Sequence, residues 1–315
     1  MAHVIAFCLH NYEEVFAWLS EDEEISLSMS SLLSGWQLGA SQQTAGVVSS
    51  AQTPLSKLNN KYIFWVLSPS EDEELNLDIT NKNHPTLLCI GNSPKIKEAV
   101  SPAISCIASV IMSQMNNPGK CKSVFMVDEF PTINLQGIDT FIGTARKHYV
   151  STILALQDFN QAVRDYGDKS ANILKASCGS QAFGMTGNDK TSQDVEKLFG
   201  EVKQVQESYS QQDSGGGSRS ESLQKEKIFK ARDLAGQSAG HFVGKIANGK
   251  PAYFNLQMKE CKYFEKEIPL FSKKVNTGDD KLDSEIMDSI VEKNYFSILR
   301  KVKEVLEDYK PKPNN

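Results

Sequence analysis

Short apolar runs alternate with helical stretches along most of the chain, and this alternation constrains the fold more than any other feature. Runs bounded by turn residues predict strands buried on both faces, at residues 62–67, 86–90, 123–127, 150–156 and 181–186. Helical patterns separate the later runs, at residues 93–115, 135–148, 159–176 (with a break near Gly167) and 189–199. Strands alternating with helices of this length form right-handed βαβ units. The sequence therefore predicts an α/β fold with a mostly parallel sheet flanked by helices.

The two ends of the chain and one internal segment differ from this pattern. Residues 1–58 have helical spacing of apolar residues and no strand signal, and residues 281–309 predict a charged helical tail. Residues 200–223 are polar around Ser214-Gly215-Gly216-Gly217-Ser218, which predicts a mobile loop near 203–222. Asn248-Gly249 between two apolar runs, residues 241–246 and 252–258, predicts a β-hairpin with a type I′ turn.

Composition excludes several classes of protein. The 315 residues carry 34 Lys and Arg against 39 Asp and Glu, a net charge of -5, so the chain is not a basic nucleic-acid binder by bulk charge. Its six cysteines form no CxxC pair, which argues against a zinc site or a disulfide framework. No stretch of 18 apolar residues occurs, so we expect no membrane span in this chain.

Two adjacent carboxylates, Asp128 and Glu129, follow the apolar run at residues 123–127. In P-loop motors a buried strand presents such a pair to nucleotide: the first carboxylate holds Mg²⁺ and the second polarises the attacking water. Asp128 is thus the candidate metal ligand and Glu129 the candidate base. The alternative is an ordinary strand followed by an acidic turn, because the pattern is short.

Two further residues are candidates for the same site. Gln157 follows the next predicted strand, at the edge where open α/β sheets bind ligands, and could contact the γ-phosphate. Arg146, at the end of the intervening helix, could reach a nucleotide on a neighbouring subunit as an arginine finger. The alternatives are a solvated strand-end glutamine and a helix-end cation that interacts with the macrodipole.

Polar residues later in the chain have simpler explanations. Asn188 precedes a predicted helix and is explained as its N-cap, although it could contact nucleotide or DNA. A basic run, Lys225, Lys227, Lys230 and Arg232, has no interleaved aromatic residues, so a solvated face is favoured over a nucleic-acid contact.

Four segments in this order resemble the TraG/TraD coupling proteins of conjugation and type IV secretion, in particular the TraG-like and mobilisation proteins of Bacteroides-type elements. They are Gln42-Gln43-Thr44-Ala45-Gly46, SVFMVDEFPTI at residues 123–133, Thr144-Ala145-Arg146-Lys147 and Ala155-Leu156-Gln157-Asp158. The resemblance extends over about residues 5–258.

The resemblance implies a RecA-like P-loop NTPase fold in a hexameric ATPase that uses ATP and Mg²⁺. Such a protein stands at the cytoplasmic face of the bacterial inner membrane and delivers single-stranded DNA with its relaxase to channel proteins of type IV secretion. Residues 1–58 would be the end of an inserted all-α domain, residues 59–270 the Walker B half of the nucleotide-binding domain, and residues 271–315 a helical tail.

The chain departs from the family pattern in one respect. No G-x-x-x-x-G-K-[ST] sequence occurs, so the loop that cradles phosphates is missing. We therefore expect a C-terminal portion of a longer protein that does not hydrolyse ATP by itself. Two other functions stay open: a non-catalytic module that docks substrates, and a related DNA translocase.

Overall fold

The computed structural model describes residues 1–69, 75–92, 97–211, 217–260 and 275–308. It contains two compact units. The first comprises Met1–Ser123, Thr132–Gln136 and Leu270–Asn315, and the second comprises Val124–Pro131 and Gly137–Pro269. The domain boundaries at residues 58 and 270 stay predictions.

The first unit is helical in its described part. Its helices are α1 (Ala2–Cys8), α2 (Tyr12–Leu19), α3 (Glu23–Ser28), α4 (Ser30–Gln37), α5 (Ser41–Ser56), α6 (Lys61–Leu67), α7 (Lys97–Met115) and α13 (Asp280–Asp308). The predicted start of α7 at Ser93-Pro94 lies outside the described residues.

The second unit contains all seven strands that the described residues form, together with five helices. Its elements in chain order are β1 (Ser123–Val127, whose first residue belongs to the first unit), α8 (Ile138–Ala145), β2 (Val150–Leu154), α9 (Phe159–Tyr166), α10 (Asp168–Ser177), β3 (Gln181–Phe183), α11 (Asp189–Phe199), β4 (Glu201–Gln211), β5 (Gly217–Lys227), α12 (Ala231–Ala235), β6 (His241–Lys245) and β7 (Tyr253–Gln257). Single turns of 3₁₀ helix occur at Phe130–Thr132 and Arg146–His148.

The core of the first unit joins both ends of the chain. Helix α13 contributes Ile298, Val302 and Leu306 to a cluster that also contains Phe16, Leu33 and other apolar residues of α1, α2, α4 and α6. Phe64 of α6 is fully buried, and its ring lies 5.2 Å from that of Tyr295 on α13. The tail helix is thus a structural part of the helical unit.

The predicted strand at residues 62–67 is wrong, because this segment is helix α6. The Asn60 side chain caps the helix by accepting a hydrogen bond from Tyr62 N, and Ile63 and Phe64 are buried against the core. A continuous apolar run of this length cannot be assigned to helix or strand by periodicity alone. The predicted strand at residues 86–90 also forms no regular element, and Leu87 is 91% exposed.

The α/β fold class is confirmed, with one parallel strand pair. β1 pairs with β2. The backbone of Ala155, just after β2, bonds two different residues on the β1 side, Val127 and Phe130, which is the parallel pattern. The remaining described strands pair antiparallel, as the sheet β3-β6-β7 and the hairpin β4-β5. The expected continuation of the parallel sheet through β3 is therefore wrong.

Two predictions about loops are corrected as well. Most of the segment predicted to be a mobile loop forms the paired strands β4 and β5, which satisfy each other's backbone hydrogen bonds; residues 212–216 lie outside the described part. The predicted hairpin is confirmed as β6 and β7, but its turn is not type I′. Asn248 has a φ of 61°, whereas Gly249 is not among the glycines with positive φ.

One described helix, α7, is long and apolar enough to cross a membrane by length and composition. It also contains Pro102 and four serines, and the same properties occur in core helices of soluble proteins. The absence of a membrane span stays a prediction.

Candidate functional site

Strand β1 delivers the two carboxylates to one edge of the parallel pair. Its alternate residues face helix α8: Val127 is buried, and the Phe125 ring makes an edge contact with Phe141 at 5.5 Å. Asp128 and Glu129 follow at once and are both exposed. The carboxyl end of a parallel strand is the edge at which open α/β sheets bind ligands.

The backbone at Glu129 is strained and held on both sides. Glu129 has a φ of 49°, in the left-handed region that non-glycine residues rarely adopt. Val127 O accepts a hydrogen bond from Ala155 N at 2.9 Å, and Phe130 N donates to Ala155 O at 2.8 Å. Such strain persists only where the surroundings fix it, and it clusters at functional sites.

Phe130, the residue that follows the two carboxylates, is fixed in place by packing. Its side chain is 2% exposed and stacks on the ring of Tyr166, the last residue of α9, with centroids 4.8 Å apart and planes 17° apart. The turn after β1 is thereby fixed against the helix that follows β2.

The structure brings three of the four predicted site residues together. Gln157, just beyond β2, donates a hydrogen bond from Nε2 to Glu129 Oε1 at 2.7 Å. Glu129 N donates to Asp128 Oδ1 at 3.1 Å. Asp128, Glu129 and Gln157 thus form one polar cluster at the carboxyl edge of β1 and β2.

Arg146 is not part of this cluster. It begins the one-turn 3₁₀ helix between α8 and β2, and the segment ends at Tyr149, whose φ is 61°. This turn precedes β2, so Arg146 lies at the amino edge of the strand pair. Its side chain is exposed. Within one chain Arg146 and Gln157 are separated by the length of β2.

Asn188 caps a helix, as expected, and also makes a contact that the sequence did not indicate. Its Oδ1 accepts hydrogen bonds from Lys190 N at 3.0 Å and Thr191 N at 3.2 Å, at the start of α11. Its Nδ2 donates to Asp158 Oδ1 at 2.9 Å. Asp158 is the neighbour of Gln157, so this bond lies beside the carboxylate cluster.

The basic run is paired with carboxylates, as a solvated face would be. Lys227 bonds Glu196, and the other three residues have carboxylate partners: Lys225 with Glu201 at 3.8 Å, Lys230 with Glu226 at 3.3 Å, and Arg232 with Asp233 at 3.6 Å. These four basic residues therefore contribute little unpaired positive charge for binding phosphates.

The carboxylate cluster fits Mg²⁺ in part. Mg²⁺ is commonly bound through one or two carboxylates together with substrate phosphates and water. Asp128 uses Oδ1 for the Glu129 amide, and its side chain is exposed, so Oδ2 is accessible as a ligand. Across the described ranges no group of three or more His, Cys, Asp or Glu could hold a metal. Phosphate oxygens would have to complete the coordination.

Comparison with solved structures defines the class of fold. The bacterial conjugative coupling protein TrwB, in a trigonal form with sulphate, matches with a TM-score of 0.56 at 19% identity, over 69% of this chain and 50% of that chain. TrwB with the ATP analogue ADPNP matches at 0.54 and 20% identity, over 70% and 50%. TrwB with ADP and Mg²⁺ matches at 0.55 and 17% identity, over 81% and 56%. The chain has the RecA-like α/β fold of these proteins and spans about half their length.

The family follows from the sequence itself. Residues 122–238 match the family described as the TraM recognition site of TraD and TraG. This segment, which contains Asp128, Glu129, Arg146, Gln157 and Asn188, is similar to that part of the TraG/TraD-type coupling proteins, and the resemblance indicated by the motifs is confirmed. No curated protein matches the chain.

Proposed function

We propose that this chain is the C-terminal cytoplasmic portion of a conjugative coupling protein, an ATP-driven motor that delivers relaxase-bound single-stranded DNA to a type IV secretion channel. The observation that carries the proposal is the 2.7 Å hydrogen bond between Gln157 and Glu129, at the carboxyl edge of a parallel strand pair inside the segment that matches the family. The full-length protein would form a hexamer at the inner membrane.

Each site residue has a role that its position supports. Asp128 would hold Mg²⁺, which neutralises charge on the nucleotide phosphates. Glu129 accepts a proton from the attacking water, since its carboxylate is exposed and oriented by Gln157. The Gln157 amide can bond either Glu129 or a phosphate oxygen, so it is suited to sense the γ-phosphate. Arg146 acts from a neighbouring subunit.

The other half of the site would come from outside these residues. The face of β1 and β2 opposite α8 exposes Val124, Met126 and Ile153, at 59%, 65% and 45%. Soluble proteins usually cover contiguous apolar patches, and strands of parallel sheets are usually buried on both faces. A segment of the full-length protein that covers this face and carries a GxxxxGK[ST] loop would supply the phosphate contacts.

The substitution Glu129→Gln in the full-length protein tests the motor function. It retains shape and hydrogen-bonding capacity but removes the base, so ATP hydrolysis should fall by about 10²- to 10⁴-fold and DNA transfer should fall with it. Glu21→Gln, at an exposed site of the helical unit, is the matched control and should leave both unchanged. Normal DNA transfer by the Glu129→Gln protein would show that the motor proposal is wrong.

Two simpler measurements examine the same proposal. The coding DNA upstream of Met1 should continue in frame and encode a GxxxxGK[ST] loop. Residues 1–315 alone should not hydrolyse ATP at a measurable rate; turnover that Glu129→Gln abolishes would contradict this expectation.

A second candidate function is docking of a partner, because the matched family is described as a recognition site for TraM. A partner-binding role and catalysis would then share residues 122–238. Capture of a relaxosome component by full-length Glu129→Gln protein, at wild-type affinity, would separate the two functions. A related DNA translocase has the same site chemistry and differs in the DNA that it moves.

A further inference from the structure

A side-chain hydrogen bond connects the N-terminal caps of two helices beside the carboxylate cluster. Asp158 Oδ1 accepts from Asn160 N at 2.8 Å and thereby caps α9. The same oxygen accepts from Asn188 Nδ2 at 2.9 Å, while the Oδ1 atom of Asn188 caps α11. The two caps therefore share the Asp158 carboxylate, and the contact between Asn188 and Asp158 is partly buried.

This shared carboxylate fixes the segment that carries Gln157. Ala155 is bonded through both its N–H and its C=O to the β1 side of the sheet, and Asp158 is bonded to Asn188. Only Leu156 and Gln157 lie between these two anchors. An exposed glutamine side chain loses rotamer freedom when it is ordered, so a rigid backbone beneath it favours its bond to Glu129.

We propose that Asn188 is a positioning residue: through Asp158 it holds the end of β2 so that the Gln157 amide faces Glu129. Capping of α11 alone does not require an amide group at this position, because serine and aspartate cap helices as well as asparagine does. The Nδ2 group is the part of Asn188 that capping leaves unexplained. The consequence for catalysis rests on the proposed function, whereas the geometric coupling does not.

The test uses the side-chain amide signals of Gln157 in the 315-residue protein labelled with ¹⁵N-glutamine, and the Gln157→Ala variant assigns them. Asn188→Ser retains an oxygen that can cap α11 but loses the donor to Asp158. The Gln157 signals should then move to the positions that they take in Glu129→Ala. Helix content and melting temperature should stay at the wild-type values.

Exchanging the donor and acceptor gives a rescue that a purely structural role does not predict. Asn188→Asp alone places two carboxylates together and should displace the Gln157 signals. The double variant with Asp158→Asn and Asn188→Asp reverses the hydrogen bond and should restore them. If Asn188→Ser lowers the melting temperature, Asp158→Ser removes the same bond from its other end and should displace the signals in the same way.

The inference is overturned if the Gln157 signals stay in place when the bond is removed in a folded variant, or if the exchanged pair does not restore them. This measurement needs no nucleotide, so its result is independent of the ATPase experiment. The full-length protein could prove inactive in ATP hydrolysis while the Gln157 signals still respond to substitution of Asn188. That result would contradict the proposed function and support the positioning role.

Discussion

Arg146 and Glu129 lie at opposite edges of the β1–β2 pair. Arg146 precedes β2, and Glu129 follows β1, which runs in the same direction. A five-residue strand spans about 17 Å at the usual rise per residue. An arginine at the amino edge therefore does not reach a nucleotide bound beside Glu129 at the carboxyl edge of its own chain, and the proposed arginine-finger role requires a neighbouring subunit.

Mixed oligomers of the full-length protein should reveal this separation. Arg146→Ala and Glu129→Gln should each abolish ATP hydrolysis, since an arginine finger contributes about 10³- to 10⁵-fold. A one-to-one mixture should recover activity, because random assembly leaves roughly a quarter of head-to-tail interfaces with both residues intact.

The matched control is a mixture of Glu129→Gln with Gln157→Ala. These residues are bonded within one chain, so no interface in that mixture has an intact site. Recovery in the control mixture, or none in the Arg146 mixture, would contradict action across subunits.

Replacing Phe130 with alanine should loosen the turn that carries the carboxylates. The ring is 2% exposed and stacked on Tyr166, and truncation of a buried phenylalanine costs about 3–5 kcal/mol. Hydrogen exchange should report a lower opening free energy for residues 124–131 and 159–166. Ile173→Ala, which truncates an exposed side chain of α10 in the same unit, should change the opening free energy by less than about 0.5 kcal/mol.

Gly244 should not tolerate a side chain. A Cβ atom there would lie 1.9 Å from Gln181 O, a backbone atom of the paired strand β3. Gly244→Ala should therefore break the β3–β6 pairing, at a cost at the upper end of about 1–3 kcal/mol. Gly143→Ala is the comparison, because nothing lies within 4 Å of a Cβ at that position of α8. Equal melting temperatures for the two variants would contradict the tight pairing.

The contact between α11 and the start of α12 should weaken in acid. The hydrogen bond from Lys227, followed by that from the Ala231 backbone, lowers the pKa of Glu196. Because the folded-state pKa lies below the unfolded value of about 4.3, the stabilisation is present above that pH and is lost as pH falls through the folded pKa. The stability difference between wild type and Glu196→Gln should be constant at neutral pH and vanish in acid.

Glu260→Gln, at an exposed position, is the matched control and should change the stability at neutral pH by less than about 0.5 kcal/mol. A Glu196→Gln difference that persists unchanged well below the unfolded pKa would rule out the ion pair as its source.

Local signals predicted much of the second unit and failed where tertiary packing decides. The carboxylates after β1, the break at Gly167 and the Asn188 cap depend on strand ends, glycine and helix capping, which short windows reveal. Helix α6 was missed because its apolar run is stabilised as a helix by contacts with α13, more than 200 residues later.

The side-chain contacts of the site could not be predicted from the sequence, for a different reason. The bond from Gln157 to Glu129 depends on the register of β2 against β1, and the bond from Asn188 to Asp158 depends on how two helix starts meet. Sequence patterns identify Glu129, Gln157 and Asn188 one at a time, and Asp158 only as part of the segment Ala155-Leu156-Gln157-Asp158. No pattern in the chain specifies how they pair. For Asp158 and Asn188 the sequence does contain one relevant pattern: each is a helix-capping residue that follows one of two successive predicted strands.

The exposed apolar face of β1 and β2 also affects the self-association and solubility of the purified polypeptide. Val124, Met126 and Ile153 are exposed to water on a strand pair that no third strand extends within the described part of the chain. Two copies can lower their free energy by packing these apolar faces against each other. Purified residues 1–315 should therefore elute at a concentration-dependent size and precipitate sooner as salt is raised, and their solubility should improve when Met126 is replaced by lysine.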